Sequence, residues 1–166
     1  MKMLKSRGAQ WPLAVAIALT FRNWVIDSVD QVSKTFGSTV AASTDPNQAG
    51  LTGPVANTIV FDIVALPPGA VIIGGEIVVE TAYVGPTAAT ISIGNAASPT
   101  ALANGIDLKA TGRTALALTA LNALLYNDGG DVRATIAYTV ANATAGKVRL
   151  DVQYIVDGRT NETQTT

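Results

Sequence analysis

From Leu13 to Phe21 the chain alternates by size. Leu13, Val15, Ile17, Leu19 and Phe21 are large, while Ala14, Ala16, Ala18 and Thr20 between them are small. A period of two places the large residues on one face of a strand, and this run reads as the first core strand. The cations Lys2, Lys5 and Arg7 ahead of it also give it the look of a secretory leader. No small-x-small cleavage pattern follows, however, since the next residues are Arg22, Asn23 and Trp24. The run is also too short to cross a membrane as a helix. Residues 1–11 are therefore expected to form an N-terminal arm ahead of one domain spanning 12–166.

Beyond Asn23 the alternation breaks. Val25, Val29, Val32 and Phe36 recur at helical spacing, which fits either a short amphipathic helix or an extended arm. Residues 37–57 are rich in Ser, Thr, Ala, Gly and Pro, with Asp45-Pro46-Asn47 as a turn signal. Residues 23–57 thus read as a long loop or insertion, a feature usually functional or ordered by a partner.

From Thr58 onward the β pattern is strong. Thr58–Ala65 places Ile59, Phe61 and Ile63 on one face, and Leu66-Pro67-Pro68-Gly69 turns the chain. Val71–Tyr83 is a long strand in which Gly74-Gly75 predicts a bulge or a close backbone approach. Gly85-Pro86 turns again into a strand at Ala89–Ile93, and Gly94–Thr111 reads as an irregular loop. Thr114–Leu118 alternates once more, and Asn127-Asp128-Gly129-Gly130 is a turn. Val132–Val140 and Val148–Val156 alternate cleanly about a turn at Asn142–Gly146, which predicts an antiparallel hairpin. About eight strands with short connections and no βαβ crossover give an all-β antiparallel sandwich or jelly roll, to which the N-terminal arm and the 23–57 insertion, with its short helix or extended segment, are added. No internal repeat is present.

Composition narrows the chemistry. The 166 residues include no cysteine and no histidine, which excludes disulfides, thiolate metal sites, imidazole bases and Ser-His-Asp triads. The formal net charge is −1 and only 14% of residues are charged, so nothing points to nucleic-acid binding by counterion release. So little charge fits a surface largely covered by partner subunits, and equally a Thr/Ala-coated β domain.

The remaining candidates are weak as chemistry. Glu76 and Glu80 share one face of a strand, but strand rise sets their Cα atoms roughly 13 Å apart, too far for a retaining glycosidase pair. They read as two solvated charges. Asp128 and Asp131 bracket a glycine turn and read as turn residues rather than cation ligands. Neither Gly74-Gly75 nor Gly94-Asn95 opens a helix, so neither is a phosphate loop. Tyr138 and Tyr154 fall at alternating core positions, where packing explains them. Asn142-Ala143-Thr144 and Asn161-Glu162-Thr163 match the glycosylation sequon, a pattern common by chance. Catalytic residues, metal ligands and cofactors are accordingly none, and no enzyme is expected.

A resemblance adds to this reading. Leu66-Pro67-Pro68-Gly69-Ala70-Val71-Ile72 is followed by Gly74-Gly75, a valine-rich strand and Thr81-Ala82-Tyr83. Then come Ala89-Thr90-Ile91-Ser92-Ile93-Gly94, Asp107-Leu108-Lys109-Ala110-Thr111-Gly112-Arg113-Thr114-Ala115, and Tyr154 through Gln164. In this order, from about Ile59 to Gln164, these segments resemble tailed-phage head decoration (cement) proteins and related small virion proteins of jelly-roll or β-sandwich fold. Asn23–Asn57 departs from that pattern as an insertion. The resemblance implies a virion module on the outer capsid surface that binds the major capsid protein and stabilises the head. It also implies a homo-oligomer, a trimer ahead of a dimer, with no nucleic-acid or membrane partner. The expected capsid or oligomer contacts are Lys2, Lys5, Arg7 and Trp11 in the arm, Trp24, Phe36 and Asp45 in the insertion, and Arg159 near the C-terminus. Competing readings are another virion part (tail tube, head–tail adaptor or head fibre base) and a carbohydrate-binding or adhesion module. The last needs exposed aromatics, and the aromatic share is only 5%.

Overall fold

The computed structural model describes residues 12–29, 31, 33–35, 58–119, 126, 128–139 and 143–156, with the backbone alone at 24, 34 and 35. Among the described residues ten strands follow in order: β1 (Leu13–Thr20), β2 (Trp24–Ile26), β3 (Ser33–Thr35), β4 (Thr58–Leu66), β5 (Ala70–Val84), β6 (Ala88–Gly94), β7 (Ala103–Asp107), β8 (Gly112–Ala115), β9 (Gly130–Thr139) and β10 (Ala145–Val156). Eight of them make two four-stranded sheets, β1-β10-β5-β8 and β4-β9-β6-β7, and every pairing is antiparallel.

The pairing is nested. With β2 and β3 set aside, the first strand pairs with the last, the second with the seventh, the third with the sixth, and the fourth with the fifth. A chain folded in half as one long hairpin and then rolled up gives this order, which is the jelly roll.

Period-two sequence builds the core between the sheets. Ile72, Ile77, Val79 and Tyr83 of β5 and Val148, Leu150 and Val152 of β10 face Ile59 and Phe61 of β4, Ile91 and Ile93 of β6, and Val132, Ala134, Ile136 and Tyr138 of β9, all buried. The rings of Tyr83 and Tyr138 stack at 6.1 Å and so join the two layers. Burial of both phenols pushes their pKa values well above the ordinary tyrosine range.

Several expectations need correction. The last two long strands are not a hairpin: β9 lies between β4 and β6, whereas β10 lies between β1 and β5 in the other sheet. Alternation tells which face of a strand is buried but not which strand it pairs with. The chain therefore passes from one layer to the other between the end of β9 and the start of β10. No helix forms among the described residues of 23–36; Trp24–Ile26 and Ser33–Thr35 pair as the small β2·β3 hairpin. Gly94–Thr111 contains a strand, because β7 pairs with β6 despite having one β-branched residue in five. The first strand is an edge: Val15, Ile17 and Leu19 are half-buried and Leu13 is 39% exposed.

The double glycine behaves as expected in both respects. The β5·β10 register shifts beside Gly74, leaving Ile73 unpaired as a bulge. At Gly75 a Cβ would come within 2.5 Å of the Asp151 carbonyl oxygen and 2.6 Å of Leu116 Cδ1.

Candidate interaction faces

Of the eight candidate contact residues, Lys2, Lys5, Arg7, Trp11, Phe36, Asp45 and Arg159 lie outside the described residues, as do the arm, the 37–57 loop and both sequon asparagines. Trp24 falls on β2, where the backbone alone is described. The structure brings together a different set of groups, in two places.

The first is the outer face of the β1-β10-β5-β8 sheet. Antiparallel register sets Glu76 directly across from Asp151, a like-charge pair that would be unfavourable alone. Cations on the neighbouring rows offset it. Arg113 of β8 grips Glu76 in bidentate fashion, with Nη2 to Oε1 at 2.5 Å and Nε to Oε2 at 2.9 Å. Arg149 of β10 donates through Nε to Asp151 at 2.9 Å and lies 3.8 Å from Glu76 and 3.3 Å from Glu80. Lys147 closes the far end on Glu80 at 2.6 Å. The two glutamates are thus the acidic rungs of a charged ladder, bridged by one arginine. Beside it lies an open cleft of about 410 Å³, lined by Ala14, Ala16, Glu76, Arg113, Asp151 and Gln153.

The ladder has a pH signature. Hydrogen bonding from Arg113 holds the Glu76 carboxyl below its ordinary 4.5, against a partial desolvation that works the other way and with help from the Arg113 and Arg149 charges. Lys147 does the same for Glu80. A carboxyl whose folded pKa is depressed stabilises the fold above its unfolded value, and that stabilisation is lost as pH falls through the folded one. The melting temperature is therefore expected to fall below about pH 4.5. The double variant Glu76→Gln, Glu80→Gln should flatten that limb in thermal melts recorded from about pH 3 to pH 6. Parallel curves for the two proteins would show that the ladder contributes nothing.

The second place is the turn of the β2·β3 hairpin against β4. Asp27, only 2% exposed, is the one buried charged residue among those described. Its Oδ1 accepts from the Val29 N–H at 2.8 Å and its Oδ2 from the Val60 N–H at 3.2 Å. Ser28 N–H donates to the Val60 carbonyl at 2.6 Å, and Gln31, held at a φ of 59°, donates its N–H to the Asp27 carbonyl. Ser28 Oγ reaches Asp62, which is also held by Arg133 Nε at 2.7 Å. The turn so fixed presents Ile26 and Val29 to solvent, 62% and 76% exposed.

The sequence places Glu76 and Glu80 on one face of a strand, and the alternation of Val148–Val156 leaves Arg149, Asp151 and Gln153 on the face opposite its valines. It misses Arg113, whose arrival depends on the pairing of β8 with β5. It also misses Asp27, for which no spacing or motif gives a signal. Among the described residues no group of three or more His, Cys, Asp or Glu side chains could hold a metal ion, and no helix is long and apolar enough to cross a membrane. Tyr126 is likewise structural: its buried hydroxyl donates to the Gly94 carbonyl at 2.6 Å.

Neither a protein-family model nor a curated protein matches the sequence. Among solved structures, a chain of the cyanophage Pam1 capsid asymmetric unit is similar, with 18% identity, a TM-score of 0.49, and coverage of 93% of this chain and 94% of that one.

Proposed function

We propose that this chain is a non-enzymatic structural protein of a tailed-phage virion, and within that class a cement protein that binds the outer face of the coat lattice and stabilises the head. The observation that carries the reading is the nested eight-strand pairing, an architecture used by viral capsid domains and also by lectins. The segments that resemble decoration proteins fall on coherent parts of it: the β4–β5 turn with β5, β6 from Ala89 to its end, and the β7–β8 connection with β8. The charged ladder, the fixed apolar turn, the arm and the 37–57 loop are the surfaces such a module would offer to coat subunits. A protein that binds only the assembled, expanded lattice stabilises it by mass action.

The lectin alternative has less support. Tyr83, Tyr126 and Tyr138 are buried, and Arg22 lies over the Phe21 ring at 5.2 Å from its centroid. These rings are not laid out as a sugar-stacking platform. The test is cosedimentation of the purified protein with expanded shells that lack it, together with the rupture temperature of those shells. Binding with a raised rupture temperature is expected. No binding, with shells that keep full stability in its absence, would sink the cement reading, and rings of sixfold or twelvefold symmetry would move the protein to the tail or neck.

A further inference from the structure

An open sheet edge offers unpaired backbone donors and acceptors to any strand that fits, and natural proteins guard such edges with charges, prolines, bulges or short strands. Three of the four edges here are guarded among the described residues. On β4, both backbone groups of Val60 are taken by the Asp27–Ser28 turn. The β7 strand carries a register shift against β6 and Gly105 at a φ of 60°. The β8 strand has four residues, one of them Arg113, whose side chain is 70% exposed.

The β1 edge has none of these devices. Its eight residues, Leu-Ala-Val-Ala-Ile-Ala-Leu-Thr, include no charge and no proline, and they run against β10 without a register shift. The Phe21 N–H donates to the Gly146 carbonyl, so the odd-numbered residues turn their backbone toward β10 and the even-numbered ones turn outward. At Thr20 both outward groups are used by Asn23: its Oδ1 accepts from the Thr20 N–H at 2.6 Å, and its N–H donates to the Thr20 carbonyl at 3.0 Å. The outward groups of Ala14, Ala16 and Ala18 have no partner among the described residues.

We propose that β1 is a homotypic pairing edge, on which a second copy of this chain adds its own β1 antiparallel about a twofold axis at Ala16. The strand is self-complementary. Carrying no charge, it meets its own copy without like-charge repulsion. Ala14 faces Ala18 of the second copy and Ala16 faces Ala16, so the outer side of the seam carries only methyl groups. On the inner side, Val15 meets Ile17 and Leu13 meets Leu19, which covers the apolar surface left half-exposed on β1. Three hydrogen-bonded pairs then close with six backbone bonds. Sliding the axis one residue to Ile17 would need the Thr20 backbone, which Asn23 already occupies, and sliding it to Val15 would set Ala18 against Pro12, which has no N–H, so Ala16 is the register that closes the most bonds. The two four-stranded sheets become one of eight strands, with the charged ladder of each copy on the same side.

The chain has no cysteine, which makes the register directly testable. In a hydrogen-bonded antiparallel pair, facing Cα atoms lie about 5.5 Å apart, within disulfide reach. Ala16→Cys is expected to give a covalent dimer under mild oxidation at least tenfold faster than Ala18→Cys, whose two thiols would sit four residues out of register, roughly 13 Å apart. Sedimentation velocity of the unmodified full chain should show a concentration-dependent dimer. Ala16→Pro, which removes an outward N–H and leaves the β10 ladder intact, should shift it to monomer with an unchanged far-UV spectrum. Equal cross-linking rates at the two positions, or a chain that stays monomeric up to about 100 μM, would overturn the proposal. If Ala16→Pro fails to fold, the cysteine pair decides alone.

Discussion

Replacing Gly146 with alanine is expected to cost about 2–4 kcal/mol, among the largest effects open to a single added methyl group in this fold. Gly146 lies at the start of β10 on the inner face, at a φ of 145° that side chains rarely adopt. A Cβ there would fall 2.5–2.7 Å from Cγ, Cδ2 and Cδ1 of Tyr83. Those are ring atoms of a buried side chain that is itself stacked on Tyr138, so the methyl group cannot be accommodated by swinging a flexible tip aside. Strain of the backbone and displacement of the ring add together. For a chain of this length the loss corresponds to a fall in melting temperature on the order of 10 °C. Gly112→Ala is the control: its Cβ would meet nothing within 4 Å, and a change within about 0.5 kcal/mol is expected. Equal melting temperatures for the two variants would show that Tyr83 can move where the packing says it cannot.

Asp27→Ala should be comparably damaging, for a different reason. The Asp27 carboxylate accepts from two backbone N–H groups on different elements, Val29 in the turn and Val60 in β4. Removing it leaves both donors without their acceptor, and the turn keeps only its Ser28 bonds to Val60 and Asp62 on the sheet. The expected cost is about 3 kcal/mol. Asp27→Asn should recover little, because an amide offers one acceptor oxygen where the carboxylate offers two, and its NH2 group would then face an N–H. Hydrogen exchange reads this locally. Protection at the Val60 and Ser28 amides should drop about a hundredfold, the factor that a loss of about 3 kcal/mol implies. Protection at Val60 that stayed within twofold of the parent would show that other contacts, not Asp27, hold the turn.

Much of the sandwich can be read from alternation alone. The strands β4, β5, β6, β9 and β10 each bury one face, and burial of one face imposes the period of two. What alternation lacks is the identity of the partner, which is why two cleanly alternating neighbours, β9 and β10, looked like a hairpin and belong to different sheets. The β7 strand was illegible because pairing with β6, and not its own residues, makes it extended. Val25 and Val29 sit at helical spacing only because a tight turn at Asp27–Val29 separates them. The interaction faces follow the same division. The outward direction of Glu76, Glu80, Arg149 and Asp151 was readable, but the ladder they form requires β10 beside β5 and β8 beyond it. Asp27 owes its role to β4, more than thirty residues further along, and nothing local marks it.

The nesting of the strands also sets where the chain enters and leaves the sandwich. Leu13, at the start of β1, is the register partner of Tyr154, near the end of β10. Adjacent strands are about 4.8 Å apart. Whatever precedes Pro12 and whatever follows Val156 are therefore rooted at one corner of the molecule. Lys2, Lys5, Arg7 and Trp11 belong to one of these flanks and Arg159 to the other, separated by almost the whole sequence yet tethered to a common point. A single attachment at that corner could engage both flanks without either one having to cross the body of the protein.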